Sequence, residues 1–321
     1  MANTLTRLAI LDDYQGVALA MGPWDRLPAG LKIEVFREHL GGPDAVVERL
    51  APFDAILAMR ERTPFPRAVI ERLPNLRLLM TTGARNRSID VAACQERGIT
   101  VCGTPSAGSP TVDLTWGLIL SLLRDIPGQQ QSLREGRWQT GIGIGLEGKT
   151  LGCVGLGNLG SRVARVGAAF GMRVIGWSQN LTDEAAAKAG AKRVDKETLF
   201  READVVTIHL VLSDRSRGLI GAPELALMKP TAFLVNTSRG PIVDQDALIA
   251  ALKERRIAGA GLDVFDVEPL PKDHPILSAP NTVLTPHLGY VTEQNYRTYF
   301  EAAVENVLAY LAGKPVRVLS P

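Results

Sequence analysis

Histidine is scarce in this chain of 321 residues, and of the four present (His39, His209, His274 and His287) the last has the most suggestive surroundings. It lies in Leu284-Thr-Pro-His-Leu-Gly, just past an apolar run at 282–285 that reads as a strand. Open α/β sheets hold their ligands beyond the C-terminal ends of strands. An imidazole there can give and take a proton near neutral pH. A lone histidine is more often structural, so the reading needs partners. Arg239, in Asn236-Thr-Ser-Arg-Gly, and Glu268, in Asp263-Val-Phe-Asp-Val-Glu-Pro, occupy equivalent places beyond runs at 232–236 and 260–264. Each alone reads as a surface charge. Three such groups, each just past a strand, make chance a much weaker explanation.

Those strands need an organising element, and the stretch at 151–160 supplies it. Gly155, Gly157 and Gly160 stand in Gly-x-Gly-x-x-Gly spacing after a short apolar run, and Val163, Val166, Ala169 and Phe170 give the helical periodicity that follows. The physical reading is a strand, a tight turn and a helix whose amide-rich N-terminus faces a pyrophosphate. Alone the triplet is weak; its strand and helix context makes it a Rossmann turn.

Composition removes several function classes. Hydrophobic residues make up 45% and charged residues 22%, with a net charge of only +2 from scattered Lys and Arg, so nothing favours nucleic acid or an anionic membrane. No apolar run of eighteen residues is present, and Asp12 and Asp13 interrupt the N-terminal stretch before a signal-peptide core could form. Cys94, Cys102 and Cys153 lack metal or disulfide spacing and read as reduced, mostly buried thiols of a cytoplasmic protein.

The length suits about two domains. Short apolar runs at 8–11, 33–36, 55–58, 77–81 and 99–102 alternate with helical stretches such as 44–50, which implies a parallel sheet covered on both faces. A helix predicted at 111–124 is apolar nearly all round, so it either threads a domain junction or packs against a second subunit. After the glycine turn, further strands at 173–177, 205–210, 232–236, 260–264 and 282–285 bring the count to six, with helices such as 246–255 between them. A last helix at 293–312 and a tail strand at 316–319, if they return to the N-terminal unit, make that domain discontinuous.

Taken in order, Gly-Leu-Gly-Asn-Leu-Gly, Asp204-Val-Val-Thr-Ile-His-Leu, Asn236-Thr-Ser-Arg-Gly, Asp263-Val-Phe-x-x-Glu-Pro and Pro286-His-Leu-Gly make the chain resemble the D-isomer-specific 2-hydroxyacid dehydrogenases. That family includes D-glycerate, hydroxypyruvate/glyoxylate and phosphoglycerate dehydrogenases. The resemblance implies an α/β protein of two Rossmann-like domains with doubly wound parallel sheets. A flavodoxin-like substrate-binding domain is expected at 1–103 and 291–321, and an NAD(P)-binding domain at 104–290. It also implies a homodimer made largely by the nucleotide-binding domain, which tips the helix at 111–124 toward a subunit interface.

Hydride reduction of a 2-oxo acid puts negative charge on the former carbonyl oxygen. His287 can donate a proton there, with Glu268 favouring the imidazolium and Arg239 offering donors to the substrate carboxylate and carbonyl. The resemblance carries cofactor contacts to Asn158, Leu159, His209, Thr237, Ser238, Asp263 and Gly289, although His209 reads equally as a satisfied core histidine. Val211 stands where the family usually has proline. Substrate amides are expected from Gly83, Ala84 and Arg85; a family glycine near Arg85 is replaced, which puts the loop's shape in doubt. Arg60 reads equally as a contact for a second anionic group or as a solvated loop residue.

NAD-preferring Rossmann proteins place an acid about twenty residues beyond the glycine turn, where this chain has Ser178. Loss of that carboxylate removes the repulsion that excludes a 2′-phosphate, yet no Arg or Lys follows between Ser178 and Asn180 to hold one. Either NAD or NADP is therefore open. The partner expected is a small 2-oxo or 2-hydroxy acid, with no metal, nucleic acid or membrane. A dinucleotide-sensing, corepressor-like binding protein of the same fold is the alternative function, and formate or phosphite oxidation a further one.

Overall fold

The structure is a computed structural model and describes residues 3–321. Two compact units make up the chain: one runs to Gly108 and resumes with Val291–Pro321, the other is Ser109–Tyr290. The sequence placed the first boundary at 103/104. Residues 104–108 fall instead in the first unit, where the Ala107 amide donates to Asn295 Oδ1 (2.9 Å) and the Ser106 hydroxyl lies 3.4 Å from that of Tyr299.

Among the described residues the first unit holds five strands: β1 (Arg7–Ile10), β2 (Lys32–Val35), β3 (Ala55–Ala58), β4 (Leu78–Thr81) and β5 (Thr100–Cys102). They are all parallel, in the order β2-β1-β3-β4-β5. β3 and β4 are buried at every position, which is why they read as unbroken apolar runs rather than alternating ones. The long helix Glu293–Leu311 returns to this unit and buries Tyr296, Tyr299, Phe300, Val304 and Val307. The tail expected as a strand at 316–319 is less regular. It makes one isolated antiparallel bridge, Cys102 to Val318, with the Leu319 amide donating to the Val101 carbonyl (2.8 Å). Pairing confined to one bridge beside the three-residue β5 is too short to make a ladder.

The second unit contains β6 (Thr150–Val154), β7 (Arg173–Trp177), β8 (Lys192–Arg193), β9 (Val205–Ile208), β10 (Phe233–Asn236), β11 (Gly259–Leu262) and β12 (Thr282–Leu284). All are parallel, in the order β12-β11-β10-β9-β6-β7-β8. Six strands were expected and seven are present, because β8 is two exposed residues long and has no hydrophobic pattern to read. β6 sits at the switch point of this doubly wound order, with β9 on one side and β7 on the other.

The helix expected at 111–124 spans Pro110–Leu123. Much of its apolar surface is used inside its own unit. Trp116 stacks at a tilt against Phe170 (5.0 Å between centroids), and a Cβ at Gly261 would press on Leu118 and Leu122 at 3.2 and 3.0 Å. Leu114, Leu120 and Leu122 stay only partly buried. Among the described residues no helix is long and apolar enough to cross a membrane.

Candidate active site

The glycine turn follows β6 directly. Gly155 has φ +99°, a left-handed backbone that favours glycine, and a Cβ there would meet the His209 carbonyl oxygen at 2.7 Å. A Cβ at Gly160 would collide with the Gly155 carbonyl oxygen, so this glycine lets the helix Asn158–Ala169 close onto the turn. Gly157 is different: no atom lies within 4 Å of where its Cβ would be, so the open face of the turn is at this residue. Asn158 and Leu159 begin the helix, and the first amides of any helix have no intrahelical acceptor. A cradle closed by two glycines and open at the third, with helix amides around it, fits a pyrophosphate.

His287 and Glu268 meet. Nδ1 of His287 is 2.6 Å from Glu268 Oε2, while Glu268 Oε1 accepts the Phe265 amide at 2.9 Å. Both carboxylate oxygens are thus occupied, and the ring is oriented with Nε2 facing away from Glu268. Burial pushes the Glu268 carboxyl upward, but the His287 hydrogen bond and charge, the Phe265 amide and the Arg239 charge outweigh it. They hold the group below the ordinary carboxylate range.

Arg239 enters this neighbourhood through glycine. A Cβ at Gly240 would collide with the Phe265 backbone, so the residue after Arg239 lets its segment lie against the one that carries Glu268. The Asn236 side chain shapes the turn, donating to the Arg239 carbonyl (2.9 Å) and accepting the Ser238 amide (3.0 Å). Ser238 Oγ donates to the Leu210 carbonyl at 2.6 Å, and one guanidinium nitrogen of Arg239 donates to the Ser238 carbonyl at 2.7 Å. The sequence motif therefore encodes a backbone arrangement as well as a charge.

Asp263 stands behind the loop that carries His287. It is fully buried, and its carboxylate accepts the Thr285 hydroxyl (2.7 Å), the Leu288 amide (2.6 Å) and the Gly289 amide (2.8 Å). Both oxygens hold the loop that carries His287, whose backbone is itself left-handed at φ +53°. Burial pushes the Asp263 carboxyl upward against the pull of its donors and of the His287 charge. Thr285 escaped the sequence reading, and the short hydroxyl of a loop threonine carries no spacing signal. Gly289 also receives Thr111, whose hydroxyl donates to its carbonyl at 2.9 Å. Thr115 Oγ1 donates to the Thr111 carbonyl (2.7 Å) and lies 2.8 Å from Thr237 Oγ1, so Thr237 is the donor in that pair.

His209 packs over the glycine turn with its Nε2 3.0 Å from Thr207 Oγ1, and burial pushes its imidazolium down to about 4. Its ring is neutral at ordinary pH. Ser178 follows β7 immediately and is half-buried. The thiols offer no competing nucleophile: burial pushes Cys94 up to about 12, Cys102 to about 11 and Cys153 to about 12.

The substrate residues expected from the first unit stand in two loops, after β3 and after β4. Arg60 is left-handed (φ +54°), and its guanidinium lies over Gly83, where a Cβ would collide with it. Nη1 donates to the Thr82 carbonyl at 3.2 Å, and the Arg60 carbonyl accepts the Asn86 amide group at 2.6 Å. Gly83 corrects the sequence reading. Its N–H donates to Thr104 Oγ1 (2.8 Å) and its carbonyl accepts the Thr104 amide (3.0 Å), so the amide expected to meet a substrate is already committed. Ala84 and Arg85 form the exposed tip of the loop.

Comparison with known proteins gives these features a family. The NAD binding domain of the D-isomer specific 2-hydroxyacid dehydrogenases matches residues 116–289, which is 174 of the 321 residues. A glyoxylate reductase from Aeropyrum pernix is 42% identical over 77% of this chain and 76% of its own length. A D-3-phosphoglycerate dehydrogenase from Methanocaldococcus jannaschii is 39% identical over 84% of this chain, which spans only 52% of that longer protein. A solved phosphoglycerate oxidoreductase from Vibrio cholerae superposes with TM-score 0.91 at 37% identity, covering 96% of this chain and 100% of the other. This chain therefore belongs to the D-isomer specific 2-hydroxyacid dehydrogenase family and is an NAD(P)-dependent oxidoreductase.

Proposed function

We propose that the protein interconverts a small 2-oxo acid and its D-2-hydroxy acid, with His287 as the acid and base. The observation that carries this reading is the 2.6 Å contact between His287 and Glu268, in the unit that holds the glycine turn. Gly155, Gly157, Asn158, Leu159 and Gly160 would hold the dinucleotide's pyrophosphate, with His209, Thr237, Ser238 and Gly289 toward its nicotinamide. When bound, that cofactor supplies the hydride for reduction and accepts it in the reverse direction.

The chain's own residues manage the charge that develops. Glu268 accepts a hydrogen bond from Nδ1–H of His287, which leaves Nε2–H of the imidazolium to protonate the new alkoxide and Nε2 of the neutral ring to remove that proton in reverse. Arg239 presents a planar fork to the substrate carboxylate and steadies charge on the carbonyl oxygen. Ala84 and Arg85 remain the candidate amides for the carboxylate. Asp263 positions the loop it holds, and its place along the nicotinamide belongs to the same proposal.

A homodimer built on the second unit is part of the same proposal. Beyond the partly buried leucines of the Pro110–Leu123 helix, an apolar segment projects with Leu133 58%, Trp138 77% and Ile142 101% exposed. Isolated apolar side chains are normal on a surface, but several in one segment mark an interaction site. Light scattering of the purified protein tests this; a monomer at micromolar concentration removes it. Placement in the cytoplasm rests on three unpaired buried cysteines, which suit a reducing compartment.

The deciding assay follows NADH and NADPH oxidation with glyoxylate, hydroxypyruvate, pyruvate and bulkier 2-oxo acids. Turnover with at least one small acid is expected. Tight dinucleotide binding with no turnover of any of them would overturn the enzymatic reading in favour of a binding protein.

A further inference from the structure

We propose that Arg215 and Ser178 together bind the 2′-phosphate of the adenosine ribose, so that the protein prefers NADP(H). This rests on the dinucleotide reading of the glycine turn and makes it more specific. In a doubly wound sheet the ribose is met at the end of the strand next to the glycine strand, where an acid selects NAD and a nearby arginine accommodates NADP. Here that strand is β7, and Ser178-Gln-Asn follows it with no charge of either sign.

Local sequence supplies no cation, but the fold does. β9 flanks β6 on the side opposite β7, so the loops after β9 and β7 both rise beside the glycine turn. The loop after β9 carries Arg215, and its Nη1 lies 3.5 Å from the Gln179 side-chain oxygen, a residue 36 positions earlier. The loop itself is well fixed. Buried Ser216 accepts the Ser213 amide (2.8 Å) and donates to the Val211 carbonyl (2.8 Å), which anchors the chain beside Arg215 while its side chain stays exposed.

Two cations near the end of β7 are already engaged. Lys196 lies 2.7 Å from Glu224 and Arg193 3.7 Å from Asp183. The polar contact of Arg215 is with a neutral amide at the long limit of a hydrogen bond. Phosphate offers a guanidinium shorter, charge-assisted bonds, so exchange of Gln179 for a 2′-phosphate is favourable. Ser178 can donate a hydroxyl to the same group, and no carboxylate stands there to repel it.

The test is a fluorescence titration of the full chain with NADPH and NADH, without substrate, so that it reads binding and not turnover. NADPH is expected to bind at least about tenfold more tightly, the scale of one or two charge-assisted hydrogen bonds. Arg215→Ala should weaken NADPH until the two dissociation constants converge and leave NADH unchanged, whereas Arg215→Lys keeps part of the advantage. Ser178→Asp should reverse the preference. Equal affinity in the wild type, or an NADPH advantage that survives Arg215→Ala, overturns the assignment. Failure to bind either nucleotide would overturn the dinucleotide reading itself.

Discussion

Two loops of this protein solve the same problem with opposite results. The His287 loop after β12 and the Gly83 loop after β4 each leave a parallel strand through a left-handed residue, at φ +53° and +88°. Each is pinned by a buried side chain from elsewhere, Asp263 in one and Thr104 in the other. Asp263 takes the backbone amides on the far side of His287 and leaves the imidazole to pair with Glu268. Thr104 takes the N–H of Gly83, the group that the sequence offered to the substrate. A strand-end loop is functional when its structural bonds fall on groups other than the chemical one.

That contrast can be broken at its chemical end first. His287→Ala should lower kcat by about 10²–10⁴-fold, the usual contribution of a general acid or base, and leave the dissociation constant of the reduced cofactor unchanged. A full-rate variant in a steady-state assay would remove His287 from the mechanism.

The pinning residues come next. Asp263→Ala leaves the half-buried Leu288 amide and the buried Gly289 amide without their acceptor and should cost about 3 kcal/mol or more, read as a lower urea midpoint, together with a loss of turnover. Thr104→Val removes only the partner of Gly83 and should cost about 1–3 kcal/mol with kcat nearly unchanged. Equal loss of kcat in both variants would mean that the two loops do not differ in this way.

The smallest effects are in pH. Glu268 is held below the ordinary carboxylate range, so its contribution to stability is complete above that range and is lost as pH falls through its lowered value. Glu268→Gln should flatten that acid limb in denaturation experiments, and in kinetic ones shift the pH dependence of reduction. His209 has the opposite chemistry and the same direction. Its imidazole takes up a proton at about 4 when folded against 6.5 as an ordinary histidine, so the unfolded chain binds the proton first and stability falls from pH 6.5 to about 4. His209→Asn should remove that part of the slope; an unchanged slope would show that the ring is not enclosed.

Much of this is legible in the sequence. Gly155, Gly157 and Gly160 announce the turn because the demands on a strand, a turn and a helix are met within ten residues. The two parallel sheets follow from apolar runs alternating with helices. β8 is not legible because two exposed residues have no periodicity, and the apolar residues of the Pro110–Leu123 helix leave a domain junction and a subunit interface both open because they do not declare which surface will cover them.

What the sequence determined by itself is the local chemistry: which residue types stand just past which strands, and the family to which that order belongs. The tertiary structure decided which of those groups are still available. Gly83 is committed to Thr104, Asp263 to the His287 loop, and Arg215 comes within 3.5 Å of Gln179 across 36 residues. The physical reason is that a hydrogen bond depends on distance in space and on whether its donor is already taken, and neither is a property of spacing along the chain.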